Sequence, residues 1–518
     1  MQIQLGESHD IDLIQEMNEW CWKVDQGQVQ ADRGFTYREF WDLWNDHINE
    51  EDFILYPIYY FLDIKTVSQR AFFRAKYDYD VVSYEQALLD TNHGDLLKYL
   101  IERRRQTKYV PLSIFSRHLY TFGATRSGKS NFLRHTVYDI RKKDPKAAMV
   151  IIDPHGPLAK DVYWSDQTTG KNTVYCDIDF REGWTYKLNI FDLPDRNPKT
   201  IRFSKEVILS VLMEIADVSH QQQSILQACV NYIYTIEQPT FDDFIDLLDQ
   251  KPSAIEKAAA YDPRFGDDFL KGTNATIRGA IRRRFNNLLD NGSLEHILKG
   301  HGTVKLNEQI NKGRTIIFDL SGFPPAVSTP DFGKLLLAHI ENIASSRDPS
   351  KGWLRPLYLV IDECHVFITG AYERFLAQMA KYGVRVILAN QYIDQIREPY
   401  SKMSIYKNVG TKVGWSKKME DFEGLISVPD KFVDGKRTKL MRFQFLVENE
   451  SGTYPFKTAS YLLNGKHTNT PEEQENIDTA IRDRYYVPIE TKEQKRKQSR
   501  KQQKPPNFTT DLYLGNEE

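Results

Sequence analysis

With 518 residues, of which 41% are hydrophobic and 12% aromatic, the chain is long enough for about two to four domains with substantial cores. Its 69 Lys and Arg nearly cancel its 71 Asp and Glu, leaving a formal net charge of −2, so the overall charge marks no polyanion binder and any basic surface must be local. The four cysteines, Cys21, Cys176, Cys229 and Cys364, follow neither metal-ligand nor disulfide-framework spacing, which predicts ordinary buried thiols in a reducing cytoplasm.

The opening MQIQLGESHDIDL lacks a basic segment followed by an apolar one, so no signal peptide is expected. The longest apolar run, FILYPIYYFL at 53–62, is half of the roughly 20 residues a membrane helix needs and contains Pro57, so no membrane insertion is expected either. Residues 1–105 alternate aromatic-rich amphipathic stretches with short loops and predict a mostly helical accessory domain. Within it, Trp41 and Trp44 sit at helical spacing, which favours a core face over a base-stacking platform.

A motor-sized unit is expected over 106–470, and from SRHLYTFGAT the character changes. SRHLYTFGAT reads as a short strand entering a Gly-rich loop, and NFLRHTVYDIRKKD follows with helical periodicity. Between them Gly123, Ala124, Thr125, Arg126, Ser127, Gly128, Lys129 and Ser130 fit the phosphate-loop pattern of Gly, four residues, Gly, Lys and Ser or Thr. In such a loop, backbone N–H groups and the positive end of the following helix hold a polyphosphate. Lys129 would reach the terminal phosphates and the Ser130 hydroxyl would ligand Mg²⁺.

AAMVIIDPHG is a continuous apolar run of the kind buried on both sheet faces. The stretch from about 195 to 305 reads as an all-helical insertion, and it includes Arg278, Arg282 and Arg283 in TIRGAIRRRFNNLLDN. That basic face could meet DNA phosphates, could be a solvated surface, or could supply a catalytic arginine. Further strands are predicted at 314–322, 357–367 and 384–391, with a helix at YERFLAQMAKYG, so strands alternate with helices as in a parallel α/β sheet. Asp362 and Glu363 end the strand in YLVIDE, where Asp362 fits a Mg²⁺ ligand acting through water and Glu363 a base for an attacking water. Gln391 is expected to close the next strand and to contact the γ-phosphate or that water. Residues 471–518 are expected to form a basic, disordered tail, because TKEQKRKQSRKQQKPP carries seven Lys or Arg between 492 and 504 against one Glu.

GATRSGKS, VIIDPHG, VIDE and AKYGVRVILANQYIDQI followed by NVGTKVGW, in that order over roughly 115–465, resemble the HerA/FtsK-type additional-strand ATPases. Among these the chain is similar to the soluble motor portion of conjugative coupling ATPases. The resemblance implies a RecA-like core, ATP and Mg²⁺ as cofactors, ATP hydrolysis, and DNA translocation by a ring, usually a hexamer, with ATP bound between subunits. A nuclease or a membrane channel is the kind of partner it implies. Relatives often place an Arg-Lys pair just before the last of these strands, the Arg resembling a finger that acts across the subunit interface. Ala380 and Lys381 stand there in this chain, which leaves Lys381 as the nearest candidate. Two other readings remain open: a viral or plasmid packaging or partition motor, and a nucleotide-gated assembly or defence switch that moves no DNA.

Overall fold

The computed structural model describes residues 2–8, 106–111, 117–178, 182–218, 220–261, 275–289, 292–323, 328–347, 355–367, 372–397, 399–450, 452–458 and 467–489. In chain order the elements begin with β1 (Gln2–Ser8), β2 (Gln106–Pro111), β3 (Leu119–Gly123), α1 (Lys129–Lys143), β4 (Ala148–Asp153), α2 (Pro157–Tyr163), β5 (Thr173–Asp177) and β6 (Trp184–Tyr186). Six helices follow: α3 (Pro198–Ile215), α4 (His220–Ile233), α5 (Phe241–Leu248), α6 (Pro252–Tyr261), α7 (Ala275–Leu289) and α8 (Gly292–Leu298). The chain then returns through α9 (Leu306–Asn311), β7 (Thr315–Asp319), α10 (Ser328–Ser345), β8 (Leu357–Ile361), α11 (Tyr372–Met379), β9 (Val384–Asn390), α12 (Pro399–Asn408) and β10 (Thr411–Trp415). Last come the short pair β11 (Val433–Asp434) and β12 (Arg437–Thr438), the hairpin β13 (Gln444–Asn449) and β14 (Gly452–Lys457), then α13 (Pro471–Tyr485) and β15 (Tyr486–Pro488).

Eleven of these strands make one sheet in the order β2-β1-β14-β13-β10-β3-β9-β8-β4-β7-β5. From β10 to β5 every pairing is parallel, and the strands beyond β10 are antiparallel. Strands β3, β4, β7 and β8 are buried along their whole length, which is why they read as unbroken apolar runs. The observed architecture is the expected RecA-like α/β core: a parallel-dominated sheet with helices, in which one strand, β9, stands between the phosphate-loop strand β3 and the carboxylate strand β8.

The register aligns the carboxyl ends of the parallel strands. Phe122 pairs with Asn390, Ile361 with Leu388 and Ile152, and Asp153 with Asp319. Groups that follow β3, β8, β4 and β7 therefore meet along one edge, where an open α/β sheet places its ligand.

The helical insertion has its own starts and its own core. Asn197 caps α3 by accepting from Thr200 N, with Pro198 at the first helical position. Thr240 and Asp243 form a reciprocal capping box on α5. Phe244 and Phe285 then meet edge to face at 5.3 Å inside the insertion. Helix α3 also packs on α10, where Lys334 pairs with Glu214 and ties the insertion to the α/β core.

The structure differs from the sequence reading at both ends. Residues 2–8 of the segment expected to be helical form a strand of the main sheet, pairing with β2 and touching β14 at Glu7–Lys457. The rest of 1–105, with Trp41, Trp44 and Cys21, lies outside the described residues. Residues 471–488, expected to belong to a disordered tail, are instead a helix and a strand: Thr470 and Glu473 form a capping box around Pro471, and α13 buries Ile477, Ile481 and Tyr485 at four-residue spacing. Strand β15 then pairs with β6. The basic run 492–504 lies outside the described residues. Cys176, Cys229 and Cys364 are buried free thiols. Among the described residues no helix is long and apolar enough to cross a membrane.

Burial also predicts an acid sensitivity. His339 on α10 is fully enclosed, and loss of water holds its imidazole down from 6.5 to about 4. A lowered histidine leaves stability intact above the unfolded value of 6.5 and removes it as pH falls toward 4. The loss from this group by pH 4 is roughly 3 kcal/mol. Urea unfolding at pH 7 and pH 4 is therefore expected to show His339→Leu losing about that much less than the unmodified chain. Parallel losses would assign the acid sensitivity elsewhere.

Candidate functional site

Strand β3 delivers the chain into the 124–128 loop at the carboxyl edge of the sheet. Ala124, Thr125 and Arg126 are exposed, whereas Ser127 and Lys129 are buried. Ser127 N donates to Ala124 O at 3.0 Å, and Lys129 N donates to Ser127 Oγ at 3.3 Å, which curls the loop back over the start of α1. Gly128 occupies the left-handed region at φ 105°, and a Cβ there would lie 2.5 Å from the Phe443 ring. Glycine is thus required on two counts, backbone angle and contact. Ser130 is the second residue of α1, half-buried beside the loop.

Asp362 and Glu363 follow β8 directly and are 8% and 5% exposed. Lys129 Nζ donates to Asp362 Oδ1 at 2.8 Å and to Glu363 Oε1 at 2.7 Å. Burial works against the Lys129 charge, but the two carboxylates outweigh it and hold the ammonium above its ordinary range. Glu363 itself sits in the left-handed region at φ 43°, uncommon for a residue with a side chain. Its Oε2 has no hydrogen-bond partner among the described residues and lies 3.5 Å from His365 Nδ1. Burial lowers the His365 imidazole, so it stands beside Glu363 as a neutral ring at neutral pH.

Two other carboxylates shape the edge. Asp153 accepts from His155 N and Ala159 N, both at 2.9 Å, and burial pushes its carboxyl up despite those donors. Asp319 accepts from Ser321 N at 3.0 Å and from the Tyr175 hydroxyl at 2.8 Å. Between them runs Gly156 at φ 93°, where a Cβ would come within 2.7 Å of Ser321 Oγ. Asp319 is a shaping residue that the sequence reading passed over.

Two expected placements change, those of Gln391 and the insertion arginines, and Lys381 lies apart from the loop. Strand β9 ends on Asn390, so Gln391 lies one residue past the strand it was expected to close, in a turn where its N–H donates to Gln395 Oε1. The buried amide at the strand end is Asn390, which accepts from the Tyr120 hydroxyl and donates to Tyr392 O at 2.8 Å. Lys381 precedes β9, at the amino edge of the sheet and a strand length from the phosphate loop, with its ammonium 4.9 Å from the Tyr382 ring. It therefore lies away from the phosphate loop of its own chain. In the insertion, Arg282 is committed to a two-pronged pair with Asp249 at 2.5 and 3.1 Å, and Arg284 pairs with Asp217 at 3.6 Å. Arg278 is half-buried and Arg283 exposed, so the expected continuous basic face reduces mainly to Arg283.

Fold and site together have the arrangement of a RecA-like P-loop core. Residues 99–340, a little under half of the chain, match the family model described as "Helicase HerA, central domain". No curated protein matches the chain by sequence. Among solved structures the chain is similar to the bacterial conjugative coupling protein TrwBdeltaN70 in an unbound form, with 14% identity, 68% of this chain and 86% of that one covered, and a TM-score of 0.45. The plasmid coupling protein TrwB in complex with a non-hydrolysable ATP analogue gives 16% identity, 70% and 89% covered, and a TM-score of 0.47. VirB4 of Thermoanaerobacter pseudethanolicus gives 14% identity, 68% and 94% covered, and a TM-score of 0.44.

Proposed function

We propose that the chain is an ATP-hydrolysing motor subunit that moves DNA and works in a ring, with Mg²⁺ as its metal. The observation that carries this reading is the placement of Lys129 between Asp362 and Glu363 at the mouth of the phosphate loop. A lysine that can exchange two carboxylates for phosphate oxygens is suited to a site that alternates between loaded and empty. The donor set fits the cofactors. Mg²⁺ is usually held by one or two carboxylates plus substrate phosphates rather than by a protein cage, and no cage of three or more His, Cys, Asp or Glu exists among the described residues.

When bound, ATP supplies the γ-phosphoryl group and Mg²⁺ the counter-charge. Lys129 would bind terminal phosphate oxygens, Ser130 and Asp362 would hold the metal, and the loop N–H groups would orient the phosphates. Glu363 would accept a proton from water at Oε2, which has no hydrogen-bond partner among the described residues. The family model's description as a helicase domain supports DNA as the second partner. Ring assembly follows from the need for a further cation at the γ-phosphate, which Lys381 could meet only in a neighbour's site.

The involvement of Arg282 and Arg284 in ion pairs favours keeping a second reading, a nucleotide-gated switch that moves no DNA. Phosphate release from ATP, measured with and without single- and double-stranded DNA, separates the two. The motor reading expects at least one DNA form to raise the rate, with an effect that shrinks as salt rises. Turnover indifferent to both forms would favour the switch.

A further inference from the structure

The phosphate loop is gripped from outside by a turn far away in sequence. Phe443 N donates to Ser127 O at 2.8 Å, and Arg442 Nε donates to Arg126 O at 2.9 Å, so two consecutive loop carbonyls are tied outward. The grip is itself held on several sides. Trp415 Nε1 donates to Met441 O at 2.6 Å, Thr458 N donates to Phe443 O at 2.9 Å, and Gln444 closes the turn onto Met441 at 3.0 Å. Phe443 sits at φ 66°, a conformation an aromatic residue keeps only where its surroundings over-determine it. Its ring fills the space beside Gly128, and the Arg442 guanidinium lies 4.6 Å from that ring.

A trans peptide points its carbonyl and its N–H in opposite directions. Tying Ser127 O to Phe443 N therefore turns the Gly128 N–H to the other side of the loop, where no described group accepts from it. An inward-facing N–H is what holds a phosphate oxygen, and an unanchored peptide is free to rotate it away. We infer that Arg442 and Phe443 form a clamp that fixes the phosphate loop in its anion-binding shape, with Arg442 a positioning residue for nucleotide binding. The clamp joins the loop to β13 and the antiparallel part of the sheet, so nucleotide affinity responds to that hairpin as well as to the loop's own sequence. This rests on the nucleotide-binding reading above and assigns Arg442 no part in the chemical step.

The test is steady-state ATP turnover and equilibrium binding of a fluorescent ATP analogue by the full chain, by Arg442→Ala and by Arg442→Lys. Arg442→Ala is expected to raise KM and the analogue's Kd about tenfold, the worth of one charge-assisted hydrogen bond, while kcat stays within about twofold. Arg442→Lys keeps a donor and a charge and should recover part of the affinity. Thermal unfolding without nucleotide checks that Arg442→Ala is folded, and if it is not, Arg442→Lys carries the comparison. Unchanged KM and Kd overturn the clamp, as does a loss of kcat at unchanged KM. Absence of analogue binding by the unmodified chain would instead sink the nucleotide-binding reading itself.

Discussion

Glu363→Gln is expected to keep ATP affinity and lose turnover by about 10²- to 10⁴-fold, the usual worth of a positioned general base. The substitution preserves shape and an acceptor oxygen, so the contact with Lys129 Nζ at 2.7 Å can survive as a neutral hydrogen bond. Asp362 remains at 2.8 Å from the same ammonium, so the lysine is not left unpaired. What disappears is the basicity of Oε2, the oxygen with no hydrogen-bond partner among the described residues. Single-turnover phosphate release alongside equilibrium binding separates these effects. If affinity and turnover fall by the same factor, Glu363 is a binding group and the role given to it is wrong.

Lys129→Ala is expected to abolish measurable nucleotide binding, and it should also weaken the fold. Two carboxylates whose side chains are 12% and 6% exposed would lose their shared cation. Removing one partner of a buried ion pair costs about 3–5 kcal/mol, because the remaining charge is stranded out of water. Chemical denaturation should therefore place Lys129→Ala well below the unmodified chain. The double change Lys129→Ala with Glu363→Gln should recover part of that loss by neutralising one stranded charge. Equal stability of all three proteins would mean that water or ions relieve the carboxylates, and the pair would lose its structural weight.

Local patterns carried most of the fold and the phosphate loop into the sequence. The loop depends on Gly123, Gly128, Lys129 and Ser130 within eight residues, and strands covered on both faces betray themselves as apolar runs such as AMVIID and LYLVI. Less apolar or mixed strands escaped: TVYCD, TKVGW and the β13–β14 hairpin carry no such signature. The helix at 471 had a readable signal, Thr470 and Glu473 around Pro471, which the basic composition downstream obscured. Other errors came from contacts that no local pattern encodes. Asn390 at the end of β9 accepts from Tyr120, 270 positions away, and Arg442 meets Arg126 across 316. Arg282 looked free because Asp249, its partner, caps the end of another helix of the insertion.

Calorimetric titration of ATP into the folded chain, with and without Mg²⁺ and with no DNA present, tests the central claim most directly. The account predicts saturable binding of one nucleotide per chain that strengthens with Mg²⁺ and vanishes in Lys129→Ala. A folded chain that takes up no ATP under either condition, or that binds it equally well without Lys129, would contradict the claim.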